Sequence, residues 1–160
     1  MRKLHHTELL TLVLLIGVSL FPDLGRTAMI KLSLEQLATE ANIIVLGTIT
    51  SQTSAWDAQH TAIYTDVTVA VEEVIKGSPG RKVTFRIAGG IVGEIGMRTS
   101  NDPVFQDGER MIVFLNTQSV PTRVVGLHQG KYTVRDGVVR RNGQTITVAD
   151  FIKAIRALSR

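Results

Sequence analysis

The sequence predicts a mainly β domain, a small antiparallel β-barrel with a short helix before it and an amphipathic helix after it. The first observation is Ala62–Ile87, where apolar and polar side chains alternate with the period of two that is typical of strands. The second is a one-residue slip in that alternation at Glu72-Glu73, which predicts a β-bulge that curls a long strand. The third is two hairpin dipeptides, Asp136-Gly137 and Asn142-Gly143.

Composition limits the chain to one ordinary globular domain with no thiol chemistry. It has 160 residues, 44% hydrophobic and 20% charged, a formal charge of +4 and no cysteine. Disulfides, thiolate zinc sites and cysteine nucleophiles are therefore excluded. After the first 28 residues, basic side chains are adjacent only at Arg81-Lys82 and Arg140-Arg141. Scattered charge of this kind disfavours a nucleic-acid interface, which needs basic residues clustered on one face.

Residues 1–28 have the pattern of a signal peptide or an uncleaved leader. Arg2 and Lys3 precede an apolar run, Leu9–Phe21, that Pro22 ends. The run of 13 residues is shorter than the roughly 20 that a membrane-spanning helix needs. We expect export to the periplasm or the extracellular space, with the leader either cleaved or kept as the only membrane anchor. Translation from Met29 is the alternative, and residues 29–160 form a single β-barrel-like domain in either case.

The first elements after the leader are a helix and a covered strand. A helix is predicted over Leu32–Ala41, with Ser33 as its cap and Gln36 as the return partner of a capping box. Ile43–Thr50 follows as a strand that is apolar on both faces at its start, which predicts a central position. Gly47 within it indicates a bulge or a bend.

Two connections are predicted to be irregular. Ser51–Thr61 is polar and is expected to be a loop. Residues 89–109 contain Gly89, Gly90, Gly93 and Gly96, without a phosphate-loop or a dinucleotide-binding pattern, and are expected to form a flexible or bulged β connection.

The C-terminal third is predicted to add three short strands and the second helix. Apolar runs indicate strands at Arg110–Asn116, Arg123–Leu127 and Lys131–Arg135. The closing helix runs from about Val148 to Ser159, capped by Thr147 with Asp150 completing a capping box. Its apolar stripe predicts packing on the sheet.

Candidate contact residues come from the two connections and the start of the long strand. No catalytic set, metal site or cofactor motif emerges. Trp56 and Tyr64 suggest an aromatic platform beside Arg81 or Arg86, of the kind by which small barrels bind sugars or oligonucleotides. The candidate contact residues are Trp56, Asp57, His60, Tyr64, Gly89, Gly90 and Gly93.

Three runs carry a resemblance to known proteins. These are Ile44–Ile49, Thr65–Gly77 ending in Val-x-Lys-Gly, and Phe105–Leu115 opening with Phe-x-x-Gly-Glu. They resemble uncharacterised exported bacterial proteins and, more distantly, the netrin-like fold of the tissue inhibitors of metalloproteinases. That resemblance spans about residues 40–135 and implies an OB-like five-stranded barrel. Those inhibitors depend on disulfides and an N-terminal cysteine, so no functional residue transfers to this cysteine-free chain.

The leader, the β core and the missing catalytic set together predict an exported, non-catalytic binding domain. Its partner is expected to be a protein or a glycan of the envelope or extracellular space. The contact is expected at Ser51–Thr61 and Gly89–Asp107. The alternatives are a hydrolase using His60 or His128, and binding of an oligosaccharide or nucleic acid on the barrel face.

Overall fold

The structure, a computed structural model, describes residues 30–159, and the predicted leader lies outside them. The described residues from Lys31 onward belong to one unit, and neither α-helix in residues 30–159 is long and apolar enough to cross a membrane. A short 3-10 helix spans Leu127–Gly130. The main elements are α1 (Leu34–Glu40), β1 (Ile43–Trp56), β2 (Ile63–Lys76), β3 (Lys82–Ala88), β4 (Gly90–Val92), β5 (Ile95–Met97), β6 (Arg110–Asn116), β7 (Arg123–Val124), β8 (Lys131–Thr133), β9 (Val138–Arg141), β10 (Gln144–Thr147) and α2 (Val148–Leu158).

The main sheet is antiparallel and confirms the predicted β class. Its strand order is β3-β2-β1-β6, and β7 and β8 pair with successive parts of the far edge of β6. The two outer edges meet at one backbone hydrogen bond, which Arg86 N donates to Thr122 O over 2.8 Å. The hairpins β4–β5 and β9–β10 are separate two-stranded sheets.

Both faces of the central strands are buried, as the sequence of Ile43–Thr50 predicts. Alternate side chains of β1 and β6 enter two different apolar cores. The helix core, under α1 and α2, contains Leu37, Ile44, Leu46, Ile112, Phe114, Phe151 and Ile155 among others. The inner core, on the opposite face of the sheet, contains Val45, Ile49, Val67, Val69, Phe85, Phe105, Met111, Val113 and Leu115 among others.

The predicted bulge at Glu72-Glu73 is confirmed. Leu46 pairs with Glu73 while Gly47 pairs with Val71, so Glu72 is the extra residue. Two further register shifts in the β1–β2 ladder leave Thr50 and Ile75 unpaired in the same way. Each bulge increases the local twist, so three of them along one pair of strands bend the sheet strongly.

The helix ends follow the predicted capping chemistry with one difference. Ser33 Oγ accepts from Gln36 N, and the Gln36 side chain accepts from Ser33 N, which confirms the capping box. Thr147 Oγ1 accepts from Asp150 N over 3.1 Å, as predicted. The Asp150 carboxylate, however, accepts from the Thr147 hydroxyl over 2.7 Å, so it closes on the cap side chain instead of on the cap backbone.

Two predicted connections and one predicted strand differ from the structure. Ser51–Trp56 is strand, because its polar side chains pair with β2 and need no apolar alternation on a half-exposed ribbon. Residues 89–109 contain the hairpin β4–β5, whose turn places Gly93 at a positive φ of 61°. The predicted strand Arg123–Leu127 ends at Val124, because Gly126 and Leu127 adopt positive φ and start the 3-10 helix.

Gly47 is required by the close approach of β2. A Cβ at this position would lie 2.6 Å from Val69 Cγ1 and still nearer to Ala70 O, which belongs to the backbone. Gly47→Ala should therefore lower the free energy of unfolding by about 1–3 kcal/mol, the usual cost of overpacking. Urea denaturation measures this loss.

Gly80→Ala is the matched control, because a Cβ at Gly80 meets only Lys82 O, at 3.9 Å. Equal stability of the two variants would contradict the packing argument.

Candidate functional site

A groove of about 550 Å3 opens at the end of the sheet where β3 finishes. The hairpin β4–β5 forms one wall and residues 98–105 form the other. Its volume is within the range of about 300–1,000 Å3 that is typical of ligand sites. The side chains that give it an apolar lining are Ile87, Ala88, Ile91, Met97, Val104 and Phe105.

The floor of the groove is a small polar junction between β1, β2 and β4. Thr65 Oγ1 donates to Gly89 O over 2.7 Å, and the hydroxyls of Ser54 and Thr65 are 2.8 Å apart. A Cβ at Gly90 would overlap both hydroxyl groups, and its φ of 144° favours glycine. Gly90 therefore lets the hairpin lie directly on the β1–β2 ribbon, and the floor's hydroxyl groups satisfy each other.

The rim of the groove carries several exposed apolar side chains. The rim residues are Ile91, Met97 and Val104, with exposed fractions of 72%, 38% and 54%. Exposed apolar side chains gathered around one concave surface indicate a contact site for another molecule.

A half-buried ion pair holds the second wall in place. Lys131 Nζ is 2.7 Å from Glu109 Oε2, and the two side chains are only 11% and 12% exposed. Glu109 also accepts from the Thr133 hydroxyl and from Gln106 N, and Lys131 donates to Val104 O. We call this set the Glu109 clamp. It ties the wall segment to β8, with the ammonium 4.6 Å from the Phe105 ring centroid.

Trp56, Asp57 and His60 lie together at the β1–β2 turn, outside the lining of the groove. The rings of Trp56 and His60 are stacked with centroids 6.0 Å apart. The Asp57 carboxylate accepts from the amide and the hydroxyl of Thr61, each over 2.7 Å. The hydrogen bond from the Thr61 side chain holds the pKa of Asp57 below its ordinary value. Asp57 therefore builds the turn.

Tyr64 belongs to a second, smaller pocket. This seam pocket, of about 170 Å3, lies between the edges β3 and β7 and is also lined by Arg86 and Arg123. It shares Ile87, Ala88 and Asp102 with the groove. Tyr64 pairs with Ala55 while Trp56 pairs with Ile63, so the two aromatic residues face opposite sides of the ribbon. The predicted platform of Trp56 and Tyr64 together is therefore wrong.

The three glycines separate into two groups. Gly89 and Gly90 line the groove, as the prediction of a contact site there requires. Gly93 lies at the hairpin tip, where a Cβ would meet nothing within 4 Å.

The hydrolase alternative depends on two exposed histidines. The His128 ring lies in the 3-10 helix with Nδ1 3.3 Å from Asn101 O. Within residues 30–159, neither His128 nor His60 has a side-chain hydrogen bond to a carboxylate or a hydroxyl. The same part of the chain holds no cluster of three metal-ligating side chains.

The groove residues that sequence reasoning did not single out are mostly apolar or hydroxylic. Ser54, Thr65 and Val104 carry no motif, and alternation alone assigns Thr65 to a strand interior. The apolar pairs Ile91-Val92 and Val104-Phe105, each beside a turn, are the signal that the sequence carries for these walls, and Ile91 and Val104 are the exposed members of the two pairs. Comparison of the chain with protein-family models, curated proteins and solved structures returns no match.

The Glu109 clamp should dominate the stability of the groove wall. Glu109→Gln leaves the ammonium of Lys131 without its counter-charge in a half-buried position, so we expect a loss of about 3 kcal/mol in the free energy of unfolding. Urea denaturation measures the loss. Glu73→Gln is the control, because the Glu73–Arg156 pair is 41% and 51% exposed and should contribute less than about 1 kcal/mol.

Adding Lys131→Met to Glu109→Gln should recover part of the loss, because the unpaired charge is then removed as well. A double variant no more stable than Glu109→Gln would contradict this account.

Asp66 should make the free energy of unfolding depend on pH in the acid range. The Arg86 guanidinium hydrogen bonds both Asp66 oxygens over 2.7 Å and lowers the pKa of Asp66 below its ordinary 3.8. A lowered pKa in the folded state stabilises the protein above pH 3.8, and this contribution is lost as the pH falls through the folded value. Because both side chains are about two-fifths exposed, we expect less than about 1 kcal/mol.

Asp66→Asn should flatten the fall in the free energy of unfolding between about pH 5 and pH 3. Thermal melts at several pH values measure it. An identical slope in both proteins would rule out Asp66 as the source.

Proposed function

We propose that this protein is an exported, non-catalytic binding domain that takes an extended segment of another protein into the groove. The observation that carries the proposal is the apolar groove with three exposed apolar side chains on its rim, built on a floor whose hydroxyl groups already satisfy each other. A ligand in this groove would therefore make mainly apolar contacts with the walls, since the hydroxyl groups of the floor are already hydrogen-bonded. The predicted leader supports export, and the envelope or extracellular space would supply the partner.

We also propose that the main sheet is an OB-like barrel. The three bulges, the inner core and the hydrogen bond from Arg86 N to Thr122 O support closure of the sheet between β3 and β7. The groove would then be the mouth of the barrel, where small barrels hold their ligands.

A capture experiment tests the function. The immobilised full chain is exposed to envelope extract and culture fluid of the native cells, and the eluate is identified by mass spectrometry. We expect one enriched protein that free chain competes away. Val104→Glu places a charge on the groove wall and should weaken its capture at least about tenfold, since an unpaired charge in an apolar contact is costly.

Val120→Glu is the matched control, because Val120 is 96% exposed and is not among the groove residues. It should capture as the wild type does, and both variants should melt with the wild type. Equal loss in both variants, or capture that survives Val104→Glu, would reject the groove as the contact site. No competed protein from any fraction would reject binding of a protein partner altogether.

A further inference from the structure

We propose that the partner segment adds as an extra β-strand to the outer edge of β1 between Thr50 and Trp56, an inference that rests on the proposed function. We call these seven residues the open edge. The groove then recognises the main chain of an extended peptide, with alternate side chains directed into the groove.

The open edge exists because β1 is longer than one of its two neighbours. β1 has 14 residues and pairs with β2 along almost its full length, from Ile44 to Trp56. It pairs with β6 only over Ile43–Thr48. Ile49 completes that side, since its amide donates to Glu109 O and its carbonyl accepts from Gly108 N, both over 3.0 Å.

Beyond Ile49 the main chain of β1 has a free side. Within residues 30–159, no backbone hydrogen bond joins the open edge to any strand except β2. The bond from Asp57 N to Ala62 O, over 2.8 Å, sets the alternation of the ladder. It follows that Ser51, Thr53 and Ala55 bond to β2. Gln52, Ser54 and Trp56 therefore direct their amides and carbonyls outward.

The open edge also lacks two of the features that normally protect a strand edge, charged side chains and proline. Natural sheets discourage strand addition with charged side chains or proline at their edges. The other outer strands follow this rule, with Lys82 and Arg86 on β3 and Arg123 on β7 beside Pro121. Thr50–Trp56 contains no charged residue and no proline. The contrast within one sheet points to an edge that is kept available.

The position of the groove identifies the occupant. Gln52 and Ser54 line the groove together with Val104 and Phe105, so the open edge runs along it. A strand added there would turn every second side chain toward those apolar walls. A second copy of β1 would bring polar Gln52 and Ser54 to the same face, which matches the walls poorly. An alternating apolar segment of another protein fits both the backbone and the walls.

The size of the open edge sets the length of the segment. Seven extended residues span about 23 Å, at roughly 3.3 Å per residue. Three outward-facing residues offer three donors and three acceptors, so binding should protect the corresponding amides and should not depend on a single side chain.

The test uses the full chain and a displayed library of random linear peptides as the probe. We expect enriched peptides with apolar residues at alternate positions. Gln52→Pro removes an outward amide without breaking a bond to β2, as prolines on strand edges do, and should weaken peptide binding at least about tenfold. Gln52→Ala loses the same side chain, including its 2.9 Å hydrogen bond to Asp107 Oδ1, but keeps the amide, so it should lose clearly less affinity for the peptide than Gln52→Pro does.

Amide hydrogen exchange on the unaltered chain makes the test independent of the variants. In the free protein, the amides of Gln52, Ser54 and Trp56 should exchange faster than those of Ser51, Thr53 and Ala55. Bound peptide should slow the three fast amides at least about tenfold.

Each contrary outcome identifies a different error. Peptides that bind Gln52→Pro and Gln52→Ala equally, with the three amides unprotected, would overturn strand addition and leave the binding function standing. Protection that rises with protein concentration in the absence of peptide would assign the open edge to a second copy and overturn the partner segment. A library without enriched peptides would overturn the inference, and an empty capture experiment alongside it would overturn the binding function as well.

Discussion

The pairing of β1 with β6 is the constraint on which the rest of the domain depends. Six consecutive residues of β1, Ile43–Thr48, pair with Leu115–Arg110, and the side chains of Ile44–Leu46 and Met111–Leu115 are buried in one of two cores. A slip of one residue would exchange the two sets of side chains between the helix core and the inner core. The register is therefore fixed strongly in this short ladder, and the register shifts of β1 lie on its other side, in the ladder with β2.

The same constraint creates the candidate site. Because β6 begins only at Arg110, the polypeptide before it must leave the sheet, and the Glu109 clamp fixes where it goes. That segment becomes a wall of the groove and places Phe105 against Phe85, with ring centroids 5.2 Å apart, in the inner core. The half of β1 beyond β6 is left with one paired side. A wall and a free strand edge thus arise from one cause, the unequal lengths of two neighbouring strands.

The sequence predicts the parts of the fold that depend on local patterns. Capping at Ser33, the bulge at Glu72 and the strand Arg110–Asn116 follow from side-chain spacing, and the structure has them where the pattern places them. Burial on both faces gives Ile43–Thr50 a continuous apolar pattern that no loop would show. Each of these features is decided by neighbours within a few residues along the chain.

The candidate site is less predictable because its residues meet through tertiary contacts. Gly90 is recognisable as an unusual backbone position, yet only the fold shows that Ser54 and Thr65 lie under it. Ser51–Trp56 has the composition of a loop, since its side chains lie on a ribbon with little apolar cover on either face. Its strand character comes from the backbone bonds to β2, which leave no trace in hydropathy.

The contrast between the loop-like composition of Ser51–Trp56 and its strand structure bears on the proposed role of the open edge. A strand stabilised by one neighbour and by few apolar contacts gains less from folding than a central strand does, because ordering its backbone costs about 1–2 kcal/mol per residue. Here the polar junction of Ser54, Thr65 and Gly90 and the turn at Asp57 hold the ribbon extended. Because the edge is already ordered in the free protein, binding of a segment costs less conformational entropy than it would if the edge had to become ordered as well. This favours strand addition to a preformed edge over coupled folding of both partners. The polar composition of Ser51–Trp56 is therefore consistent with an edge that stays extended and available without a permanent neighbour.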